Sequence, residues 1–418
     1  MAPEQDAQAA WSGSRSAEVP EQTVQGKRAP ARGTVPPTTG GVMGRSTAWW
    51  RVAAPVLIIV ALVLIVPTSA LAASFHHALF VQTDSPTANK IVVYDRAADG
   101  SLTIAGVYAT GGKGAVAKGA AVDPLASQGS LITAEDGHVL LAVNAGSDTV
   151  SLFRISGGDH LVLRQVISSG GSFPVSIAVH GHLVYVLNAG GAGALKGYGL
   201  FAYHLSAIAG SHRSLGLANT TPPNFLTSPG QVGFSPGGGR LIVTTKASGS
   251  HIDIFSVGAL GKLSKHPVTN ASATPVPFAF VFDPSGRLVV IEAGASTLSS
   301  YTIGSTGHLT TIASTADGQT AACWITMARG FYYVSNAGSA NISAYSLSGS
   351  GAPVLSGVAA TVQAGAIDSV ATAGQHFLYV ECGGAGTIDV FAVQADGSLT
   401  LVQTVNALPV PFEGIALT

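Results

Sequence analysis

The sequence predicts an all-β protein, a seven-bladed β-propeller closed by its own C-terminal strand. Three observations favour this fold class: a strand-turn-strand unit that recurs seven times, a composition rich in turn residues, and a last segment that supplies a strand missing from the first unit. Only 10% of the 418 residues are charged, whereas 52 are glycine and 21 are proline. Such a composition indicates many turns and few exposed helices. The formal net charge of -1 gives no electrostatic basis for binding nucleic acid.

The first 73 residues differ from the rest of the chain. Residues 1–42 are rich in Ala, Gln, Pro, Gly and Thr without hydrophobic periodicity, which predicts a disordered extension. Residues 43–73 have the parts of a secretory signal peptide: Arg45 and Arg51, the uncharged run 52–66, and small residues at the exit. We therefore expect a secreted or extracytoplasmic protein of the cell envelope.

Two alternatives to a simple signal peptide remain open in this segment. A signal peptide seldom follows so long an extension. If translation starts at Met43 instead, the n-region has an ordinary length and residues 1–42 are not translated. The run 52–66 would also serve as an uncleaved membrane anchor, although fifteen residues is short for a span of about 20. In either case the membrane is contacted only through this N-terminal segment.

The recurring unit is a strand ending in a polar residue, a small turn, and an alternating strand that carries an aromatic residue. It is clearest in LLAVNAGSDTVSLF, RLVVIEAGASTLSSY and YYVSNAGSANISAY, where the polar residue precedes the aromatic by nine positions. Four looser copies complete a series whose aromatic residues are Tyr94, Phe153, Tyr203, Phe255, Tyr301, Tyr345 and Phe391. The spacing between them, 44 to 59 residues, leaves room for four short strands, the content of one propeller blade.

Each unit contains four predicted strands, A to D, counted from the axis outward. The innermost strands A are predicted at 175–179, 231–234, 278–282, 324–328 and 369–372. Strand C alternates apolar and polar residues, as in 387–393, and Gly-containing turns such as Asp396-Gly397 lead to strand D.

The first unit lacks a strand A, because residues 76–82 already read as its strand B. Residues 412–418 at the C-terminus have the pattern of the missing strand. If they complete the first blade, the ring is closed across the chain ends and no sheet edge stays unpaired at the junction. The predicted propeller therefore spans residues 76–418.

Several segments resemble a known family. Residues 110–114, 123–131, 143–147 and 173–176 are similar to the lactonase-like seven-bladed propellers, and especially to secreted proteins labelled 3-carboxymuconate cyclase or 6-phosphogluconolactonase-like. The resemblance implies a hydrolase or cycloisomerase that acts on a small lactone or organic acid and needs no cofactor.

One family motif is altered in this chain. The family has a Gly-Pro-Arg-His run that opens one blade and an Asn-Glu pair after the next strand. Residues 274–279 correspond to the run, with Phe278 and Ala279 in place of arginine and histidine, and Glu292-Ala293 corresponds to the pair. The motif thus lacks the arginine that would hold a carboxylate and the histidine that would transfer a proton.

The candidate site is a funnel on the face where strands A begin and strands B end. Its candidate catalytic residues are Glu292, Lys246 and Glu381. Its candidate ligand-binding residues are Gln82, Asn144, Asn188, Gln231, Trp324, Asn336, Asp368 and Glu413. Carboxylates, amides and a lysine around an axis suit a small polar ligand. The alternative is that the asparagines cap turns with their own side chains.

The remaining expectations concern metals, cysteines and partners. The sequence shows no ligand set for a metal and no cofactor motif. Cys323 and Cys382 lie on the funnel face in adjacent blades, either free or joined by a disulfide. We expect a monomer whose partner is a small molecule or a component of the cell envelope. Two functions follow, an exported lactonase-like or cycloisomerase-like enzyme and a non-catalytic extracytoplasmic binding or adhesion propeller.

Overall fold

The computed structural model describes residues 77–406 and 411–418, and these form seven antiparallel sheets built from 29 strands. The sevenfold propeller predicted from the repeat is thereby confirmed. The predicted extension 1–42 and the signal or anchor 43–73 lie outside the described residues. Within the described residues, no helix has the length and apolar character needed to cross a bilayer.

The strands are numbered here in chain order. Blade 1 receives β1 (His77–Gln82), β2 (Lys90–Arg96) and β3 (Leu102–Ala109). Blade 2 consists of β4 (Leu131–Ala134), β5 (Val139–Asn144), β6 (Thr149–Ser156) and β7 (His160–Ser168). Blade 3 consists of β8 (Pro174–His180), β9 (Leu183–Asn188), β10 (Ala194–Phe201), β11 (His204–Ala207) and β12 (Arg213–Ser214). Blade 4 consists of β13 (Gln231–Phe234), β14 (Arg240–Thr244), β15 (His251–Ser256) and β16 (Val268–Ala271), with a single 3-10 turn at Ala259–Gly261.

The other three blades are more regular. Blade 5 consists of β17 (Pro277–Phe282), β18 (Leu288–Glu292), β19 (Thr297–Ile303) and β20 (Leu309–Ala316). Blade 6 consists of β21 (Ala322–Ala328), β22 (Phe331–Asn336), β23 (Asn341–Leu347) and β24 (Pro353–Thr361). Blade 7 consists of β25 (Ala366–Ala371), β26 (Phe377–Cys382), β27 (Thr387–Val393) and β28 (Leu399–Asn406). The last strand is β29 (Ile415–Leu417).

The C-terminal strand closes the ring as the sequence predicts. Strand β29 pairs antiparallel with β1, so that Leu417 lies opposite Leu79 and the sheet of blade 1 has the order β29-β1-β2-β3. The Gln82 N–H donates to the Gly414 carbonyl at 2.9 Å and the Thr418 N–H donates to the Ala78 carbonyl at 3.1 Å. The inner edge of blade 1 is therefore paired along most of its length.

The second strand of each blade is buried on both faces, which explains its continuous apolar sequence. All six residues of β5 are buried. Its Leu141 and Val143 pack in the same cluster as Val175 of blade 3, whereas Leu140 packs with Phe80 of blade 1. Burial of each such side chain stabilises the fold by roughly 1.5–3 kcal/mol. Apolar side chains of neighbouring blades thus pack face to face, and the core lies between the blades.

One aromatic marker of the repeat was assigned wrongly. In blade 3 the buried strand-C aromatic is Tyr198, which lies opposite Val184, in the same relation as Tyr301 to Leu288 in blade 5. Tyr203, the predicted marker, lies after the end of β10 in a turn, where its φ is 60°. The error arose because β10 is followed by a tight turn whose aromatic residue mimics the end of a strand.

We predict that deletion of residues 411–418 abolishes cooperative unfolding of the propeller, because it leaves the edge of β1 unpaired and breaks the ring. Thermal unfolding followed by circular dichroism measures this. A permuted chain that carries residues 411–418 ahead of His77 through a short Gly-containing turn is the control, since the Thr418 N–H already reaches the Ala78 carbonyl. We expect this permutant to regain the transition. A truncated protein that melts like the full chain would contradict the closure.

Candidate functional site

Two long connections meet on the face where strands B end. Residues 110–130 join blade 1 to blade 2, and residues 215–230 join blade 3 to blade 4. The Lys118 N–H donates to the Pro223 carbonyl at 2.8 Å, and the Phe225 N–H donates to the Lys118 carbonyl at 3.1 Å. These main-chain hydrogen bonds hold the two connections together.

Residues 123–128, which we term the crossing segment, traverse the axis. The Ser127 carbonyl accepts a hydrogen bond from the Trp324 indole N–H of blade 6 at 2.7 Å, and its hydroxyl donates to the Val175 carbonyl of blade 3 at 2.7 Å. The Gln128 N–H donates to the Gly230 carbonyl, next to blade 4, at 3.0 Å. A segment in contact with blades so far apart must run through the centre, so the chain itself fills part of the predicted funnel.

Glu413 holds the crossing segment from the side of blade 1. Its carboxylate accepts hydrogen bonds from the main-chain N–H groups of Leu125 at 2.7 Å, Ala126 at 3.1 Å and Ser127 at 2.8 Å. Burial raises the pKa of this carboxyl to about 7, while the three N–H groups and the Lys246 charge act in the opposite direction. Three converging N–H donors form a local site for negative charge.

Lys246 contacts the crossing segment from the side of blade 4. Its Nζ donates to the Ala126 carbonyl at 2.6 Å and to the Phe225 carbonyl, and it lies 4.9 Å from the centroid of the Phe278 ring. The side chain is 1% exposed. Burial lowers its pKa to about 8, although nearby carboxylates oppose that shift. Within residues 77–406 and 411–418, no carboxylate forms an ion pair with it.

Five buried carboxyl groups lie within or beside the crossing segment on the side of blades 7 and 1, namely Asp84, Asp123, Asp368, Glu381 and Glu413, of which Asp123 belongs to the segment. Burial raises the pKa of each, and mutual repulsion adds to the rise for the first four. The pKa of Asp368 reaches about 8. Burial and mutual repulsion therefore both favour the protonated forms of these carboxyls.

These carboxyls also join the closing strand to its neighbours. The Glu413 N–H donates to Asp84 Oδ2 at 3.0 Å, and the Gly414 N–H donates to Glu381 Oε2 at 3.0 Å. The Gln82 side-chain amide donates to Asp84 Oδ1 at 2.6 Å. Despite the number of carboxyls, no group of three or more His, Cys, Asp or Glu side chains in the described part of the chain has an arrangement able to hold a metal ion.

Four of the predicted site residues occupy one repeated position at the end of strand B and are hydrogen-bonded within the protein. In each of four blades, a strand-B residue pairs with the strand-C aromatic, and the site residue stands four positions after that strand-B residue. The four site residues are Asn144, Asn188, Glu292 and Asn336. Asn144 Oδ1 accepts from the Thr110 hydroxyl at 2.7 Å. The Asn188 amide donates to the Ser169 carbonyl at 3.1 Å, and the Asn336 amide donates to the Ser343 hydroxyl at 2.8 Å. These contacts reach groups outside the residue's own turn, so they use the asparagines within the protein without the local capping that the alternative describes.

Glu292 is the charged member of this series and is fully buried. Its carboxylate accepts from the Thr274 N–H at 2.9 Å, the Thr274 hydroxyl at 2.6 Å, the Ser299 hydroxyl at 2.7 Å, the Ala273 N–H at 3.0 Å and the Tyr301 hydroxyl. Burial raises its pKa, and these donors oppose the rise. All its acceptor capacity is thus used to fix the connection between blades 4 and 5.

Lys246 and Glu381 lie one residue out of register with this series. Counted from the strand-C aromatic, the repeated position is Thr245 in blade 4 and Cys382 in blade 7. Glu381 lies within β26, where side chains alternate between the faces, so a shift of one residue turns it from the neighbouring blade towards the axis. Lys246 lies past the end of β14, in a turn, with a φ of 48°. The structure therefore brings Lys246 and Glu381 to the axis but places Glu292 elsewhere, and the three do not form one catalytic group.

The other predicted site residues also contact the protein itself. Trp324 and Glu413 bind the crossing segment, as described above. The Gln231 side-chain carbonyl accepts from the Phe280 N–H at 2.6 Å, and Asp368 Oδ1 accepts from the Ser369 N–H at 2.8 Å. A role for any of them in ligand binding stays a prediction.

The two cysteines are free and buried, so the disulfide alternative is wrong. The Cys382 thiol occupies the repeated turn position and donates towards Asp389 Oδ2 of its own blade at 3.7 Å. Cys323 instead lies at a bulge of β21 and lines a cavity beside Lys246. The two side chains thus have different neighbours, and burial raises the pKa of both thiols.

That cavity, of about 290 Å³, lies between the turns of blades 4 and 5, the start of blade 6 and the connection 215–230. Its lining is formed by Phe225, Leu226, Lys246, Val276, Phe278, Ala293, Gly294, Ala295, Ser296, Gln319, Thr320, Ala321 and Cys323. Lys246 is the sole charged side chain among them, and the exposed Ala295 marks the mouth. Most of these residues were missed in the sequence, because small residues in turns carry no signal for a cavity.

The fold has known counterparts among solved structures. A candidate 6-phosphogluconolactonase of Bacteroides fragilis superimposes with a TM-score of 0.65 at 16% identity, over 83% of this chain and 99% of that chain. A periplasmic gluconolactonase of Pseudomonas aeruginosa gives 0.62 at 16% identity, over 81% and 98%. This chain has the fold of the lactonase-like propellers. No protein-family model and no curated protein matches the sequence.

We predict that Glu292→Ala lowers the free energy of unfolding by about 3 kcal/mol, because it leaves several buried hydrogen-bond donors without an acceptor. Urea unfolding measures the change. Tyr301→Phe, which removes one of those donors, serves as the graded control and is expected to cost about 1 kcal/mol. Loss of ligand binding by Glu292→Ala at unchanged stability would instead support a catalytic or binding role for this carboxylate.

We predict that Asp368→Asn flattens the pH dependence of stability. The folded-state pKa of about 8 exceeds the ordinary value of 3.8, so the folded protein holds the extra proton and loses stability as pH rises between these values. The loss for one such group is at most about 1.4 kcal/mol per pH unit. Asparagine carries no proton to lose and still accepts from the Ser369 N–H. Urea unfolding from about pH 5 to pH 8 should show a shallower decline in the variant, and equal slopes would contradict the assignment.

Proposed function

We propose that this protein is an exported lactonase-like propeller whose cavity between blades 4, 5 and 6 binds a small lactone or the organic acid formed by opening it. Export belongs to the proposal and rests on the signal-like sequence of residues 43–73. The likeness of fold to proteins described as 6-phosphogluconolactonase and gluconolactonase supports a lactone-related ligand. Because fold alone does not fix function, the argument depends on the cavity.

The observation that carries the proposal is the hydrogen bonding of Lys246. An ammonium has three N–H donors. Two of them bind the carbonyls of Ala126 and Phe225, and the side chain lines the cavity. One donor is left for a ligand, in a cavity whose wall combines apolar side chains with those of Ser296, Gln319 and Thr320. A carbonyl or carboxylate oxygen is its natural acceptor, and the desolvated setting strengthens the bond.

The same donor suits ring opening. When water adds to the lactone carbonyl carbon, negative charge develops on the carbonyl oxygen, and a fixed N–H donor stabilises that charge. The ring oxygen then leaves as the alcohol, and the new carboxylate can stay hydrogen-bonded to the ammonium. Val276, Phe278 and Ala293 would pack against the carbon atoms of the ligand.

A second candidate function is non-catalytic binding, and a specific observation favours it. No carboxylate and no histidine is among the cavity-lining residues that the structure describes. Phe278 lies where the resembling family has arginine. Such a cavity has no evident general base for the attacking water. The two candidates therefore share a binding site and differ in turnover.

The test uses Ala295→Trp, which places a large side chain at the cavity mouth. Ala385→Trp is the matched control, because Ala385 holds the same place in the turn of blade 7, two residues before Thr387, as Ala295 does before Thr297. Both alanines are exposed. Neither change is expected to alter the melting temperature.

We predict that wild type and Ala385→Trp bind at least one member of a panel of small lactones and their hydroxy acids equally well by calorimetry. Ala295→Trp should weaken that binding roughly tenfold or more, equivalent to about 1.4 kcal/mol. Chromatography of the mixtures reports turnover: ring opening above the buffer rate supports the enzyme, and binding alone supports the second candidate. Binding by no member of the panel, or equal binding by all three proteins, would contradict the proposal.

A further inference from the structure

The Lys246 side chain has the surroundings of a reactive amine. It is buried, it lines a cavity whose mouth is open at Gly294 and Ala295, and within the described residues it forms no ion pair with a carboxylate. Burial makes this amine easier to deprotonate than one at the surface, although the charges of Asp123 and Glu413, which form no ion pair with it, oppose that change. Among the titratable side chains of the cavity wall, Cys323 is the only other candidate nucleophile.

Hydrogen bonding fixes the direction of this amine. In its neutral form the nitrogen has two N–H groups and one lone pair. The carbonyls of Ala126 and Phe225 can accept both N–H groups. The lone pair is then engaged by neither carbonyl, and it remains for a ligand in the cavity that Lys246 and the nearby Phe278 ring both line.

We propose that Lys246 acts as a nucleophile in this cavity and forms a reversible imine with a small aldehyde or ketone. This inference uses the cavity of the proposed function, yet it concerns a different ligand class and a covalent step. The apolar walls formed by Val276, Phe278 and Ala321 favour a carbonyl compound with a short hydrocarbon chain. Lys246 would be a catalytic residue for such a ligand, whereas a lactone needs only its N–H.

The step balances without any oxidant or reductant. The Nζ lone pair attacks the carbonyl carbon, and the π electrons of the C=O bond move to oxygen, which takes up a proton from solvent while nitrogen releases one. The carbinolamine then loses its oxygen as water, and the C=N bond forms. Water reverses the sequence and restores the free amine and the free carbonyl compound.

Two further features suit this chemistry. The pKa of Lys246, lowered to about 8 by burial, leaves a substantial fraction of neutral amine at mildly alkaline pH, whereas ordinary lysines have a pKa near 10.4. Burial raises the pKa of the neighbouring Cys323 thiol well above its usual range, so the thiol does not compete as a thiolate. Of the two groups, the Lys246 amine is therefore the one whose nucleophilic form is favoured.

The experiment traps the imine in the full-length protein. Isobutyraldehyde is the probe and sodium cyanoborohydride the reductant, which converts the imine to a stable secondary amine. Digestion and mass spectrometry then give the extent of alkylation at each lysine over time. Lys196 and Lys262 serve as internal references in the same sample, because they lie in other parts of blades 3 and 4 and do not line the cavity.

We expect Lys246 to be alkylated roughly ten times faster than the reference lysines at neutral to mildly alkaline pH, with a rate that rises through about pH 8. Ala295→Trp should suppress alkylation of Lys246 by a similar factor and leave the references unchanged, and Ala385→Trp should behave as wild type. Both variants retain Lys246 and its hydrogen bonds, so the test does not depend on whether a protein with Lys246 replaced still folds.

Two results would overturn the inference. One is alkylation of Lys246 no faster than that of the reference lysines in the folded protein. The other is rapid alkylation that Ala295→Trp does not slow, since the aldehyde would then not act through the cavity. Trapping without binding of any lactone would overturn the proposed function and keep this inference, and lactone binding without trapping would do the reverse.

Discussion

The closing strand is the constraint on which the rest of the structure depends, because residues 411–418 both complete the first blade and bind the crossing segment. Strand β29 completes the sheet of blade 1, and Glu413, two residues ahead of it, holds the crossing segment by three N–H groups. Ring closure and assembly of the centre are therefore one event. The crossing segment in turn provides the Ala126 carbonyl that fixes Lys246.

Electrostatics at the axis follows from this arrangement. Closing the ring buries Glu413 beside Asp84, Asp368 and Glu381, and burial together with mutual repulsion favours the protonated forms of most of these groups. Glu413 differs from the others because three N–H donors of the crossing segment stabilise its ionised form and oppose the effect of burial on its pKa. The centre is thus stabilised by hydrogen bonding to a protein segment, and the Lys246 charge adds attraction to Asp123 and Glu413 without a direct ion pair.

The sequence predicted the propeller and its closure well because both depend on local patterns. Apolar strands B, alternating strands C and Gly turns each leave a periodic signature, and a strand A missing at one end can be matched with a strand at the other. The side chains at the ends of strands B were harder. Lys246 and Glu381 seemed equivalent to Glu292, but pairing of the strands shifts them by one residue and turns them to the axis.

The crossing segment could not be predicted for a different physical reason. Its course is determined by side chains from distant parts of the chain, above all Glu413 and Trp324, and nothing in residues 123–128 themselves indicates such partners. The predicted open funnel was therefore too simple.

The filled centre explains why the cavity has the chemistry it does. Because the crossing segment occupies the axis, the cavity beside Lys246 lies to one side, between the turns of blades 4 and 5 and the start of blade 6, where the repeat offers small residues such as Ala293 and Gly294. A second cavity, lined in part by Asp123 and Gly383, borders the acidic side of the centre, whereas Lys246 is the one charged side chain in the wall of the cavity beside the turn of blade 5. The crossing segment supplies Asp123 to the former and the Ala126 carbonyl that orients the Lys246 amine to the latter, so one stretch of chain determines the charge of both.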